Sequence, residues 1–225
     1  MSATAETALH PRVHEVRYLT DSTFVVRFDR NGMEFEPGQY VSVGVKGDIN
    51  MREYSIYSPV QADFLEILVK RVDGGHVSQA LGALEPGDQL EVDGPFGFFL
   101  IEEEQRTRRG VLFIATGTGI SPFHCFAGSL PGLNFTLLHG VRTQEERYEH
   151  ADFPEGVIIT CVSREEPGKA PGMTAGRVTD YLRENPVSPD TLCYLCGNCD
   201  MIYESFDILK SQGVDSEQLF AEVYF

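Results

Sequence analysis

Three short stretches of the sequence hold residues suited to binding phosphate. "TGTGISP" (116–122) stands between a continuous apolar run, "GVLFIAT", and a helical stretch, "SPFHCFAGSL". Gly117 and Gly119 would let the backbone approach a pyrophosphate at a helix N-terminus, where unpaired N–H groups and the helix dipole favour an anion. Pro122 takes the place of the third glycine of the usual dinucleotide fingerprint and suits a first helical turn. Read alone, such a turn also serves as a purely structural strand–helix connection. "REYS" (52–55) offers Arg52 as a forked cation, Tyr54 as a flat ring and Ser55 as a hydroxyl. Its bland alternative is an exposed strand face. In "KRVDGGHVSQAL" (70–81), Gly74-Gly75 turns the chain into a helix whose first turn contains Val77 and Ser78, a second anion site. Two phosphate cradles, one in each half, match the needs of two dinucleotides.

"CYLCGNC" spells Cys193, Cys196 and Cys199 in a C-x₂-C-x₂-C pattern, like part of an iron–sulfur run. The fourth cysteine and its proline are absent, and Cys193 and Cys196 fall on opposite faces of a strand, so no cluster is expected. The five cysteines, none in the first half, are no disulfide framework, which points to a reducing cytoplasm. The six histidines are scattered, and no metal site is expected.

Positioning these groups requires two kinds of architecture. The first hundred residues read as six short strands, "VHEVRYL", "TFVVRFD", "QYVSVGV", "REYSIYS", "FLEILVKRV" and "DQLEVDGP", punctuated by "RNGMEFEPG", "SPVQAD" and "EPGD". With one short helix, "HVSQALGAL", they predict a six-stranded antiparallel β-barrel. "EEEQRTRRG" (102–110) is a linker or a solvated loop. Beyond it, five apolar strands ("GVLFIAT", "NFTLLHGV", "GVIITCVS", "TLCYLCG", "QLFAEVYF") alternate with helices, including one expected over "QEERYEHADF". That alternation predicts an α/β doubly wound parallel sheet. The expected domains are residues 8–104 and 108–225. A net charge of −16 excludes nucleic acid and anionic membrane surfaces as partners. No apolar run approaches the ~20 residues of a membrane helix, and "MSATAETALH" does not read as a signal peptide.

The ordered series "PGQYV", "REYSIYS", "GGHVS", "GPFG", "TGTGISP", "VSRE", "YLCG", "EVY" resembles the plant-type ferredoxin–NADP reductase family over essentially the whole chain. The resemblance implies an FAD-binding barrel, an NADP-binding α/β domain, and hydride exchange between NADPH and FAD with single electrons passed to ferredoxin or flavodoxin. It assigns Ser55, Cys196 and Glu222 to catalysis: Ser55 at the flavin N5, Cys196 beside the nicotinamide, Glu222 near the active centre. Arg52 is implied on the FAD pyrophosphate, Tyr54 on one flavin face and Tyr224 on the other. Further FAD contacts are implied at Glu53, Val69, Lys70, Arg71, Gly75, His76, Val77, Ser78, Thr116 and Phe225. Phe225, following Tyr224, would cap that ring, reach the adenine or simply fray. Contacts to NADP are implied at Gly117, Thr118, Gly119, Ser121, Pro122, Arg142 and Gly197. No long insertion is seen that would hold the adenine half of FAD, so a compact FAD is expected.

"CVSREE" (161–166) ends the third strand of the second half with Ser163 and Arg164, where an acidic residue would read the ribose of NAD. Hydroxyl and guanidinium suit a 2′-phosphate, and Arg177 could complete the clamp. NADPH is therefore expected over NADH, the alternative being a surface loop with stray arginines. The competing activities are a diaphorase acting on quinones or free flavin, a reductase component of an oxygenase system, or a flavin-binding relay subunit. Residues 1–104 hold 8 basic and 18 acidic residues, which counts against an acidic ferredoxin unless a basic patch forms near Arg106, Arg108 and Arg109. A monomer or weak dimer is expected.

Overall fold

The computed structural model describes residues 10–108 and 110–224. The six stretches read as strands in the first half are strands: β1 (Val13–Tyr18), β2 (Thr23–Asp29), β3 (Tyr40–Val45), β4 (Arg52–Ser55), β5 (Phe64–Lys70) and β6 (Leu90–Phe96). They form two antiparallel three-stranded sheets, β1-β2-β5 and β4-β3-β6. Single bridges, Arg12 to Gln89 and Ile56 to Ile67, join one sheet to the other and close them toward a barrel. Successive strand residues point to opposite faces. Phe24, Val26, Phe28, Val41, Val43, Ile67 and Val69 therefore fill the interior, with Val77 and Leu81 of helix α1 (His76–Gly82) packed among them. The alternate residues Val25 and Leu68 face the other way, into the apolar core of the second half.

Within the charged stretch expected to be a linker or loop, helix α2 (Glu103–Arg108) forms. The Gln105 side chain accepts from the Glu102 N–H at 2.8 Å, and Arg106 pairs with Glu103 one turn away at 3.1 Å. Beyond it lie β7 (Val111–Thr116), α3 (Ser121–Ser129), β8 (Phe135–Val141), β9 (Ile158–Val162), β10 (Met173–Ala175), α4 (Val178–Glu184), β11 (Leu192–Asn198), α5 (Cys199–Ser211) and β12 (Leu219–Tyr224). The strands make one parallel sheet in the order β10-β9-β8-β7-β11-β12. One face packs Phe113, Tyr194 and Cys196 against α3 and the barrel residues Tyr57, Phe99 and Ile101. The other packs Ile114, Cys193 and Leu195 against α4 and α5. Cys193 and Cys196 thus lie on opposite faces, as the strand period requires.

Two features depart from expectation. Strand β10 is a sixth strand, too short and too polar to show in the sequence, and it exists through its pairing with β9. The helix expected over 144–153 is instead two 3₁₀ turns, Gln144–Glu146 and His150–Asp152, parted by Glu149 at φ 49°. Tertiary contacts override helical propensity here. Tyr148 is drawn into the core with its hydroxyl 3.2 Å from Thr23 Oγ1, and Glu146 pairs with Lys70 at 3.0 Å.

The barrel and the sheet meet along α3. The Ser121 hydroxyl donates to the Ser55 carbonyl at 3.0 Å, and His124 Nδ1 lies 2.8 Å from the Tyr57 carbonyl oxygen. Among the described residues, no helix is long and apolar enough to cross a membrane.

Candidate active site

The end of β4 meets the end of β12. Buried Ser55 donates its hydroxyl to Glu222 Oε2 at 2.8 Å, and the Tyr224 hydroxyl donates to Ser55 Oγ at 2.6 Å. Glu222 and Tyr224 are two residues apart on a strand and share a face, so both reach Ser55. Parallel pairing sets Cys196 of β11 opposite Glu222. Burial pushes the Glu222 carboxyl up, the Ser55 hydrogen bond opposes this, and the charge of Glu53 adds to it. Burial, then Glu222, lifts the Cys196 thiol well above its ordinary range, and burial, then Cys196 and Glu222, does the same for the Tyr224 phenol. Thiol and phenol therefore stay protonated, and the Tyr224–Ser55–Glu222 line can hold a proton at its carboxylate end. Tyr40, which the motifs left without a role, stands beside this line. Its phenol is raised by burial and by the charges of Glu53 and Glu222.

Tyr224 also lines a cleft of about 770 Å³ over the C-terminal ends of the parallel strands. The chain proceeds from β7 in one direction and then returns to the other side at β11, and ligands of doubly wound sheets bind at such a switch point. Gly117 (φ 53°) opens the floor, since a Cβ there would meet no atom within 4 Å. Gly197 (φ 125°) is squeezed instead, its virtual Cβ 2.5 Å from Thr116 Oγ1, which in turn accepts the Asn198 N–H at 3.0 Å. Lys70, Arg71, Arg142, Arg164 and Arg177 line the cleft against Glu146, Asp200 and Glu204. Five cations against three carboxylates make a local positive site on an acidic chain. Lys70 is taken by Glu146, and Glu204 by Arg183. Among the described residues no ion pair holds Arg142, Arg164 or Arg177. The buried Thr179 hydroxyl, also on the cleft wall, has no partner there. Open backbone at Gly117, unpaired guanidinium groups and an orphaned hydroxyl are a donor set that fits a phosphorylated nucleotide.

The barrel carries a second donor set beside Ser55. Among the described residues the exposed Arg52 guanidinium donates only to the neighbouring Met51 carbonyl, at 2.9 Å. No side chain caps α1, which follows Gly74 at φ 73° with open space above it. The Tyr54 ring packs partly on the barrel core, and burial pushes its phenol up to about 12. Cation, uncapped helix end and flat ring fit a pyrophosphate joined to a planar group, as in FAD.

Not every expected contact converges on these sites. The Val69 side chain is buried in the barrel core and offers only backbone. Gly119 lies under the Cys196 carbonyl, 2.3 Å from where its Cβ would be, and Ser121 and Pro122 are buried in the seam. The Ser163 hydroxyl donates to the Val141 carbonyl at 3.1 Å and must turn to serve a phosphate, whereas Glu165 is held away by the Gln144 N–H. His76 is bound to Asp48, whose carboxyl the Asn50 N–H and His76 hold down at about 2. Ser78 spends its hydroxyl on Val72 and Gly75. Arg109 and Phe225 lie outside the described residues. His10 and His14 stand four apart, but they pair separately with Glu91 and Asp29.

Comparison with known proteins follows the same division. Residues 12–101 match the family described as Oxidoreductase FAD-binding domain. The propane 2-monooxygenase reductase component of Mycolicibacterium goodii is 27% identical over 208 residues, 85% of this chain and 59% of that protein, so the chain spans little more than half of this relative. The ferredoxin–NADP reductase of Azotobacter vinelandii is 28% identical over 231 residues, 90% of this chain and 89% of that one. A ferredoxin NADP⁺ reductase from Neisseria gonorrhoeae with bound FAD and NADP shares the fold, with a TM-score of 0.85 at 22% identity over 96% of this chain and 98% of that one. In its barrel, its switch-point cleft and the hydroxyl–carboxylate line between them, the chain is similar to FAD-dependent ferredoxin–NADP reductases and to reductase components of oxygenase systems, and its residues 12–101 carry the FAD-binding domain match.

Proposed function

We propose that this protein exchanges a hydride between NADPH and FAD, and single electrons between FAD and a ferredoxin or flavodoxin. The observation that carries the proposal is the position of the Tyr224–Ser55–Glu222 line, where the barrel's donor set and the nucleotide cleft adjoin. FAD, when bound, supplies the conversion between a two-electron hydride and single electrons. Arg52 and the α1 N-terminus hold its pyrophosphate, and Tyr54 offers one ring face. Ser55 orients the nicotinamide, Glu222 holds a proton, and Cys196 supports the site as a neutral buried thiol. Arg164 and Arg177, with Arg142 and Thr179, take the phosphates of NADPH. Tyr224 guards Ser55 and yields its hydrogen bond as the nicotinamide enters, a displacement driven by binding of the rest of the nucleotide. The FAD domain occupies residues 8–104 and the NADP domain 108–225, with α2 at the junction. Five free cysteines, four of them buried, suit a reducing cytoplasm.

A reductase component of an oxygenase system is the second reading, favoured by the likeness to the propane 2-monooxygenase reductase component. Purified protein is expected to release FAD on denaturation and to oxidise NADPH with ferricyanide. NADPH-driven reduction of ferredoxin, flavodoxin, quinone and an oxygenase's own electron carrier, compared across a salt titration, selects the acceptor. Colourless protein that cannot be reconstituted with FAD refutes the proposal. Turnover with quinones alone removes the protein partner.

A further inference from the structure

A group of ligand-type side chains outside the redox site lies in the seam between the two halves. His124 of α3 stacks on the Tyr57 ring with centres 3.8 Å apart. Its Nδ1 is 2.8 Å from the Tyr57 carbonyl oxygen, and a carbonyl only accepts, so Nδ1 carries the proton. Nε2 is thereby directed at Asp152 Oδ2, 3.2 Å away. Glu149 completes the group, with one ligand atom from each residue inside 4.8 Å of the others. An imidazole nitrogen and two carboxylate oxygens are atoms that metal ions take as ligands, and two carboxylates brought together favour a positive centre between them.

A second observation points the same way. The Tyr57 hydroxyl is fully buried and has no hydrogen-bond partner among the described residues. It faces the same carboxylates, Glu149 foremost and Asp152 after it. Buried hydroxyl groups without partners are rare in folded proteins. Arg17 takes Glu149 Oε1 at 2.5 Å, which anchors this carboxylate in the seam.

We propose that His124 Nε2, Glu149 and Asp152 form a binding site for a divalent transition-metal ion of the zinc class, with the Tyr57 hydroxyl completing its surroundings. One imidazole with carboxylate oxygens suits Zn²⁺ better than Mg²⁺ or Ca²⁺, which prefer oxygen alone. A ligating histidine whose other ring N–H donates to a backbone carbonyl is the arrangement that orients metal ligands. Arg17 offsets one carboxylate, so the ion meets a net single negative charge. The ligands come from α3 and from the β8–β9 connection, while Tyr57 and Arg17 come from the barrel. A bound ion therefore ties the two halves together. The site does not depend on the activity proposed above.

The test is calorimetric titration of ZnCl₂ into FAD-loaded protein stripped with EDTA and desalted at pH 7.5. One ion per chain is expected, with a melting temperature raised by about 5–10 °C at a hundredfold excess over the dissociation constant. Mg²⁺ should produce no comparable shift. Asp152→Asn, at an exposed carboxylate, and His124→Gln should each weaken zinc binding by roughly 100-fold, and Tyr57→Phe by about 10-fold, the scale on which supporting partners act. If His124→Gln does not fold, Asp152→Asn and the visible spectrum of the Co²⁺ form decide. Absence of saturable one-to-one binding overturns the site, as does unchanged affinity in folded Asp152→Asn. Nitrogen NMR showing both His124 ring nitrogens protonated in zinc-titrated protein overturns it too, because a proton would then fill the gap.

Discussion

Replacing Tyr224 tests whether the end of β12 is a movable guard or a fixed part of the core. Tyr224→Phe leaves the ring packed against the apolar cluster that holds Cys196 and removes only the hydroxyl that donates to Ser55 at 2.6 Å. One such bond contributes ~0.5–1.5 kcal/mol. If the nicotinamide must displace Tyr224, losing that bond should tighten NADP⁺ binding by roughly 2–12-fold. Tyr224→Ser removes the ring as well, adding ~0.5–1.5 kcal/mol of aromatic contact. The combined ~1–3 kcal/mol corresponds to roughly 5–150-fold tighter binding. The assay is a titration of FAD-loaded protein with NADP⁺, following the long-wavelength absorbance that appears when nicotinamide lies against flavin, with melting temperatures measured in parallel. The order Ser tighter than Phe tighter than wild type is expected. If both variants bind NADP⁺ as wild type does and only the melting temperature falls, Tyr224 is a core plug and the guard is refuted.

Arg164→Ala and Arg177→Ala should each weaken NADPH use by ~1–3 kcal/mol, the scale of a charge-assisted contact, while NADH use stays unchanged; equal losses with both cofactors would remove the 2′-phosphate assignment. Burial, offset in part by Ser55, raises the Glu222 carboxyl above its ordinary value of 4.5, so folded protein holds that proton more tightly than unfolded protein. The stabilising contribution is complete below the unfolded value and is lost as pH climbs through the raised one. Glu222→Gln should therefore gain melting temperature relative to wild type as pH rises from 4.5 toward neutrality, and a difference independent of pH would contradict the burial. Gly197→Ala combines a φ of 125° with a virtual Cβ 2.5 Å from Thr116 Oγ1, and each of these costs ~1–3 kcal/mol. Gly117→Ala meets open space and should cost only the left-handed backbone term, ~1–2 kcal/mol. Urea unfolding midpoints that fail to rank Gly197→Ala below Gly117→Ala would contradict this geometry.

The division between local and distant information is visible in particular residues. The alternation in "TFVVRFD" and "FLEILVK", bounded by turn residues, was sufficient to read β2 and β5, because a strand's two-residue period is written in consecutive side chains. The apolar runs of β7, β8, β9 and β11 marked a parallel sheet buried on both faces for the same reason. "REYS" and "TGTGISP" were legible as candidate phosphate-binding stretches, since such chemistry depends on backbone freedom and side-chain type over a few residues. The helix expected over 144–153 failed because its local pattern lost to Tyr148 in the core and to Lys70 on the barrel. Strand β10 escaped notice because three residues carry no periodicity, and only pairing with β9 makes them a strand.

The sequence by itself determined the two architectures, their order and the kinds of groups available for two nucleotides. Tertiary structure alone decided which groups meet. Ser55 and Glu222 are 167 residues apart and share a hydrogen bond because β4 and β12 end at the same seam. His124 and Asp152 are 28 apart, with no ligand spacing to announce them, and α3 and the β8–β9 connection bring them to 3.2 Å. Periodicity and turn chemistry act between neighbours in the chain and can be read from it. Contacts across a seam depend on how whole elements pack, and a linear pattern does not record that.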